Sequence, residues 1–309
     1  MDNNIKDRIL GCLYGQAIGD ALGLGTEFMS KGDVKNHYPE KLTCYSQIVQ
    51  DRHRSRWEKG AWTDDTDMML CILRAFNGER FDINKVAYNF KEWYNTYPLG
   101  IGASTANVLS LGDYTDNPRK AAEIFWNLSG KNSAPNGAIM RTSVIGLEKS
   151  GYKEDAIDIC KLTHYDPRCV GSCVIAVEII HNLVWENKTL SLDEIVSIGD
   201  QYDARIKEWV ELAFRGSLSA LRLDDSRTMG YTLRTLAAAL WCYFHSRSFM
   251  EGLIDIVNEG GDADTNAAIS GAILGAKYGY NSIPDKMIKD LHNESLYNSY
   301  VKNFVKSIL

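Results

Sequence analysis

Four glycines, Gly11, Gly15, Gly19 and Gly23, recur at every fourth position near the start of this 309-residue chain. Residues four apart share one face of an α-helix, and Ile9, Leu13, Ala17 and Ala21 fill a second face at the same spacing. Each glycine inside a helix costs roughly 1 kcal/mol against alanine. A stripe of four therefore needs a compensating gain, and close approach of another backbone supplies one. Near the far end, Gly271, Gly275 and Gly279 repeat the spacing. The two segments are expected to be helices at the crowded centre of the fold.

Helical periodicity continues between these ends, in Thr66 to Phe76, Asp155 to Leu162, Val170 to Trp185, Leu192 to Ile198, Ile206 to Phe214, Tyr231 to Phe244 and Phe249 to Val257. Clusters at Asn77-Gly78, Gly112 to Asn117 and Gly130 to Gly137 read as loops. No stretch alternates apolar and polar residues as a half-buried strand would, and only six prolines interrupt the chain. No low-complexity linker divides it. The pattern predicts an all-α protein, one domain over residues 1–309.

The chain carries 34 basic and 40 acidic residues, a net charge of −6, with no basic stripe of the kind a nucleic-acid binder needs. Seven cysteines, an odd number without a Cys-x-x-Cys pair, read as reduced thiols, and structural zinc is not expected. A cytoplasmic location follows. The longest apolar run, Leu236 to Phe244, is about half a membrane span, and Gln16 and Asp20 interrupt the apolar stretch after Lys6 and Arg8. Neither insertion nor secretion is predicted.

Two helix starts are unusually acidic. Thr63-Asp64-Asp65-Thr66-Asp67 precedes the apolar run from Met68, and Asp262-Ala263-Asp264-Thr265 follows Gly260-Gly261. An N-cap with acids in the first turn explains one side chain of each cluster, because capping needs only one. Crowded carboxylates repel unless a cation neutralises them, and oxygen-only ligands suit Mg2+ or Mn2+. Whether the two clusters meet cannot be read from their spacing. A third acid, Glu27, follows the glycine-striped helix, where a solvated surface role is the ordinary one.

Six motifs occur in order: Gly19-Asp20-Ala21-Leu22-Gly23 with Glu27; Trp62-Thr63-Asp64-Asp65-Thr66; Asn136-Gly137-Ala138-Ile139-Met140-Arg141; Thr163-His164-Tyr165-Asp166-Pro167-Arg168; Thr235 to Trp241; and Gly260-Gly261-Asp262-Ala263-Asp264-Thr265-Asn266. Together they resemble the ADP-ribosylglycohydrolase family, of the dinitrogenase-reductase-activating type, over Ile9 to Pro284. The resemblance implies a compact, orthogonal multi-helix single domain with a binuclear Mg2+ or Mn2+ centre in a central cleft. It implies metal ligands at Thr63, Asp64, Asp65, Asp262, Asp264 and Thr265, and catalytic roles for Glu27 and Asp65. Gly100, Gly102, Ser104, Asn136, Gly137 and His164 would contact substrate, with backbone N–H groups near Gly100 to Ser104 and Asn136-Gly137 meeting the pyrophosphate. Asp20 would be structural, bonding backbone near the site.

The implied reaction is hydrolysis of an ADP-ribosyl linkage at the anomeric carbon of the distal ribose, through an oxocarbenium-like transition state. The implied partner is an ADP-ribosylated protein or a small-molecule ADP-ribose adduct, with nucleic acid entering only as a modified substrate, and the protein is expected to be a monomer. Adducts of arginine lead, with O-linked adducts (serine, or O-acetyl-ADP-ribose) as the alternative. Arginine-specific members carry Asp-Ile-Gly-Asn where this chain has Gly100-Ile101-Gly102-Ala103, which removes one acidic contact for a guanidinium. A binuclear phosphoesterase would be expected to show histidine ligands. A non-catalytic, crystallin-like member would show eroded acids, yet every expected Asp and Thr is present.

Overall fold

The computed structural model describes residues 2–309, and among them it forms fifteen α-helices and no β-strand beyond two isolated bridges. The helices are α1 (Asp2–Gly23), α2 (Lys31–His37), α3 (Asp64–Leu73), α4 (Ile83–Tyr94), α5 (Ala103–Leu109), α6 (Pro118–Leu128), α7 (Tyr152–Cys160) and α8 (Pro167–Val184). There follow α9 (Leu192–Gly199), α10 (Arg205–Arg215), α11 (Thr232–His245), α12 (Phe249–Val257), α13 (Ala263–Tyr278), α14 (Asp285–Lys289) and α15 (Glu294–Ile308).

The glycine stripe is the seam between α1 and α13. Gly11 lies against Gly275, Gly15 against Gly271, Gly19 against Ala267 and Gly23 against Ala263, so the helices run antiparallel. At each of these glycines the facing carbonyl occupies the space a Cβ would need. The gain that offsets the glycine cost is therefore backbone-to-backbone packing along four turns. Gly279 is not part of this seam. It ends α13 with φ +82°, its N–H bonded to the Gly275 carbonyl at 2.8 Å, and it faces the Asp7 carboxylate. Its spacing from Gly275 matches the stripe, but its function is that of a helix terminator.

Around this pair, α13 also packs on α8, α11 and α12, and α3 and α15 close on α1. Helix α8 is the element that comes nearest to a membrane span, rather than the Leu236 to Phe244 run. It has 18 residues at a mean hydropathy of 1.3, and 89% of them are buried. In this fold it is a core helix, opened by Pro167 and capped by Asp166, whose carboxylate accepts from the Arg168 N–H at 2.9 Å. Six of the seven cysteines are buried free thiols; Cys44 is free and half-buried.

The periodic segments are helices within a few residues of the predicted bounds. Thr66 to Phe76 starts two residues early, at Asp64, and ends at Leu73, because the acids belong to its first turn. Six further helices, α2, α4, α5, α6, α14 and α15, lie outside the predicted set. Helix α15 buries Tyr297, Val301, Phe304, Val305 and Ile308, a helical spacing that was available in the sequence.

Candidate active site

The seam brings the C-terminal half of α1 to the start of α13, and Asp20 ties the same stretch of α1 to the start of α3. Asp20, fully buried, accepts from the Thr63 N–H (3.0 Å) and hydroxyl (2.9 Å), and from the Thr66 N–H (3.0 Å) and hydroxyl (2.6 Å). It thereby satisfies orphan donors at a helix N-terminus from another helix. This is the structural role expected of Asp20. Thr63 is the N-cap of α3, and its hydroxyl also donates to Asp65 Oδ2 at 3.1 Å. Because Thr63 fills the cap position, neither Asp64 nor Asp65 is needed as one.

Asp262 occupies the N-cap position of α13, yet its side chain makes no capping bond. The loop ahead of it is shaped by Gly260 (φ +75°) and Gly261 (φ +71°), where a side chain would collide with the Met29 and Leu223 carbonyls respectively. Two backbone bonds, Phe28 N–H to Gly261 O (2.6 Å) and Gly261 N–H to Met29 O (2.8 Å), tie this loop to the one carrying Glu27. The two acidic helix starts and Glu27 thus reach one place by three connections: the α1–α13 seam, the Asp20 clamp and this short ladder.

Their carboxylates converge. Oxygens of Asp20, Asp65 and Asp264 lie within 4.8 Å of one another, as do those of Glu27, Asp262 and Asp264. Asp264 belongs to both groups. Asp64 lines the same cleft but joins neither triplet; its Oδ1 faces Gly100. The cleft has a volume of about 270 Å³ and is lined by Glu27, Asp64, Asp65, Asp262, Asp264 and Thr265 together with Gly100, Gly102, Ser104, Asn136, Gly137 and His164. Thr63 is absent from this lining, since its hydroxyl is spent on Asp20 and Asp65.

Among the described residues, no lysine or arginine lines the cleft. Burial, then the charge of Asp20, holds the carboxyls of Asp64 and Asp65 well above their ordinary range; burial, then the charge of Glu27, does the same to Asp264. Burial alone pushes Asp20 up to about 7 and leads the rise of Asp262 to about 6. Asp65 Oδ1 and Asp264 Oδ1 are buried without a hydrogen-bond partner. Hard oxygen donors, crowded and unpartnered, are what a divalent cation takes up, and the residues present fit one. The acidic clusters can therefore bind metal.

The opposite wall is fixed differently. The Asn136 N–H is taken by the Gly230 carbonyl (3.0 Å), and its amide donates to Asp262 Oδ2 (2.8 Å) and Thr235 Oγ1 (3.0 Å). Asn136 thus orients an acid, and its backbone donor is not open to a pyrophosphate as the motif had suggested. His164 is buried; its Nδ1 pairs with Thr163 Oγ1 at 2.7 Å, leaving Nε2 without a partner beside Gly137. Burial, helped by the Arg141 charge, pushes its imidazole down to about 3, so the ring is neutral. A second hollow of about 200 Å³ shares Ser104, Pro135 and His164 with the cleft and is walled by Phe125, Trp126 and Tyr165. His53, which the sequence reading did not single out, bonds Glu27 Oε2 at 2.6 Å.

An all-α body with buried acids gathered at two helix N-termini, beside an aromatic-walled hollow, is built to hold a polar ligand. The sequence model of the ADP-ribosylglycohydrolase family matches residues 1–308, and the chain belongs to that family. It is 27% identical over 296 residues to the ADP-ribosyl-(dinitrogen reductase) glycohydrolase of Rhodospirillum rubrum, covering 93% of this chain and 91% of that one. It is 29% identical over 299 residues to the ADP-ribosylarginine hydrolase Tri1 of Serratia proteamaculans, covering 92% and 76%. A solved structure described as an ADP-ribosylglycohydrolase-related protein complex has the same fold, with a TM-score of 0.80 at 24% identity over 99% of this chain and 100% of that one. Family membership supports ADP-ribosyl glycohydrolase activity.

Proposed function

We propose that this protein removes ADP-ribose from modified targets, arginine adducts foremost, by hydrolysing the bond at the anomeric carbon of the distal ribose. The observation that carries the reading is the cleft itself: five carboxylates, two with unpartnered buried oxygens, and, among the described residues that line it, no lysine or arginine. Asp64, Asp65, Asp262 and Asp264, with Thr265, would hold one or two Mg2+ or Mn2+ ions, which would supply Lewis acidity at the distal ribose. The carboxylates then face an anomeric centre on which positive charge builds. Glu27, at the edge of the acid cluster, acts on the proton of the attacking water or of the leaving group. Asn136 holds Asp262 in place, and the free Nε2 of neutral His164 contacts the ligand where cleft and hollow join. The adenine end lies in that hollow against Trp126, Phe125 or Tyr165.

Arginine leads because the Serratia relative is named for that adduct. Discrimination should be loose, since Gly100 offers no acid to a guanidinium. An acid cannot simply be restored there: Gly100 has φ +88°, and a Cβ would stand 2.9 Å from Asp64 Oδ1. The test is release of free ADP-ribose from arginine-, serine- and O-acetyl-linked adducts presented side by side. Cleavage of the arginine adduct is expected. Cleavage of O-linked adducts alone would overturn the target class, and release from none would overturn the activity.

A further inference from the structure

We propose that His53 is the positioning residue for Glu27, and that Arg56 fixes the imidazole tautomer that lets it serve; this rests on the reading of Glu27 as the acid/base. Glu27 is 7% exposed, and among the described residues only one side chain bonds its carboxylate: His53 Nε2, at 2.6 Å from Oε2. On the other side of the ring, Arg56 Nη2 lies 2.6 Å from His53 Nδ1. A guanidinium can only donate, so Nδ1 must accept, and the single ring proton resides on Nε2. The imidazole therefore donates from Nε2 to Oε2, and Oε1 is left for the cleft.

Two aromatic rings pack against the imidazole. Phe28 packs at 5.1 Å between ring centroids and Trp57 at 5.4 Å, while Arg56 lies 4.4 Å over the Trp57 ring and also donates to the His53 carbonyl at 3.0 Å. The same turn grips the Glu27 backbone, because the neighbouring Arg54 guanidinium donates to the Glu27 carbonyl and, at 2.9 Å, to that of Gly25. Arg54 is buried and anchored to Asp51, so the platform has a rigid base. Phe28 adopts φ +61°, a strained conformation for an aromatic residue, and it is 57% exposed. Neither burial nor local geometry compensates Phe28 for that strain. The conformation instead carries the chain directly from the Glu27 side chain into the Gly261 ladder, with the Phe28 ring on the imidazole.

The experiment has two arms on the full chain. Nitrogen-resolved NMR of the wild-type imidazole reads the tautomer without any turnover: a proton on Nε2 only is expected, and a proton on Nδ1 overturns the proposal. Kinetics on whichever adduct the wild type cleaves form the second arm. A hydrogen bond to a charged group predicts a fall in kcat of about 10- to 100-fold for His53→Leu. KM and Tm should stay near wild type, and His53→Gln, which keeps an N–H near the Nε2 position, should recover kcat to within about threefold. Wild-type kcat in His53→Leu, or a Gln variant no better than Leu, overturns the positioning role while the hydrolase reading stands. A wild type that releases no ADP-ribose from any adduct removes the reading and the proposal together.

Discussion

Replacing Gly19 by alanine tests the link between the fold and the site, because Gly19 sits on the seam one residue before Asp20. A Cβ at position 19 would stand 2.6 Å from the Ala267 carbonyl carbon and 3.1 Å from the Ala268 nitrogen. Carbon atoms pack at about 3.5–4.0 Å, so the helices must separate by about 1 Å. Both partners are backbone, and no rotamer change can absorb the clash. Overpacking of this kind costs about 1–3 kcal/mol, offset by at most about 1 kcal/mol of helix propensity. A net loss of about 1–2 kcal/mol lowers Tm by about 2–3 °C in a chain of this length. The same displacement carries Asp264 away from Asp20 and Asp65, and a misplacement of about 1 Å can cost about 10²-fold in turnover. Thermal unfolding followed by circular dichroism measures the first effect and ADP-ribose release the second. Gly32→Ala is the control: Gly32 is an exposed position in α2 with only Ser30 Oγ nearby, 3.6 Å from where a Cβ would stand, and the change should be neutral or slightly stabilising. A Gly19→Ala protein as stable and active as wild type would refute the seam as the element that sets the site.

Three further outcomes follow from the same geometry. Asp20→Asn replaces one of two acceptor oxygens with a donor facing Thr63 and Thr66; it should cost about 2–4 kcal/mol and roughly 3–6 °C in Tm, and an unchanged Tm would contradict the clamp. Glu27→Gln keeps size and reach but loses the proton-accepting carboxylate, so turnover should fall by about 10²–10⁴ with little change in ADP-ribose affinity by calorimetry; unchanged turnover would leave Glu27 a lining residue only. Glu148 is fully buried, and burial with the Asp155 charge pushes its carboxyl up from 4.5 to about 9. The folded state therefore holds a proton that the unfolded chain releases, so this contribution is complete below about pH 4.5 and is lost as pH rises towards 9. Glu148→Gln, which can still accept from the Phe81 N–H, should flatten the fall of Tm across that window, and an identical slope would contradict the assignment.

What the sequence made legible was whatever recurs at a helical period or concentrates at a helix start. The stripe from Gly11 to Gly23 predicted a backbone contact because only close approach offsets its cost, and the structure supplies Gly275, Gly271, Ala267 and Ala263 opposite. The same period misassigned Gly279, where the positive φ of a helix end, invisible in the spacing, is the operative constraint. The acids at Asp64, Asp65, Asp262 and Asp264 were visible as more carboxylates than capping requires. Their meeting was not, because it depends on the register of the α1–α13 seam and on the Phe28–Gly261 ladder, both long-range. The motif order supplied that juxtaposition only by resemblance. His53 and Arg56 lie in an irregular turn without periodicity, so their bonds to and around Glu27 had no signature. Pairing of Asn136 N–H with Gly230 O likewise had no local signal, and it removes a donor that the motif had offered to the pyrophosphate.

The most direct test of the whole account is a calorimetric titration of Mn2+ or Mg2+ into chelator-treated protein, wild type beside Asp264→Asn. Asp264 is shared by both carboxylate triplets and has an unpartnered buried oxygen, so its neutralisation removes one anionic ligand from each. Saturable binding by the wild type, lost or greatly weakened in the variant, is the predicted result. A wild type that binds neither ion, or a variant that binds as the wild type does, would contradict the reading of the acidic cleft as the seat of the chemistry.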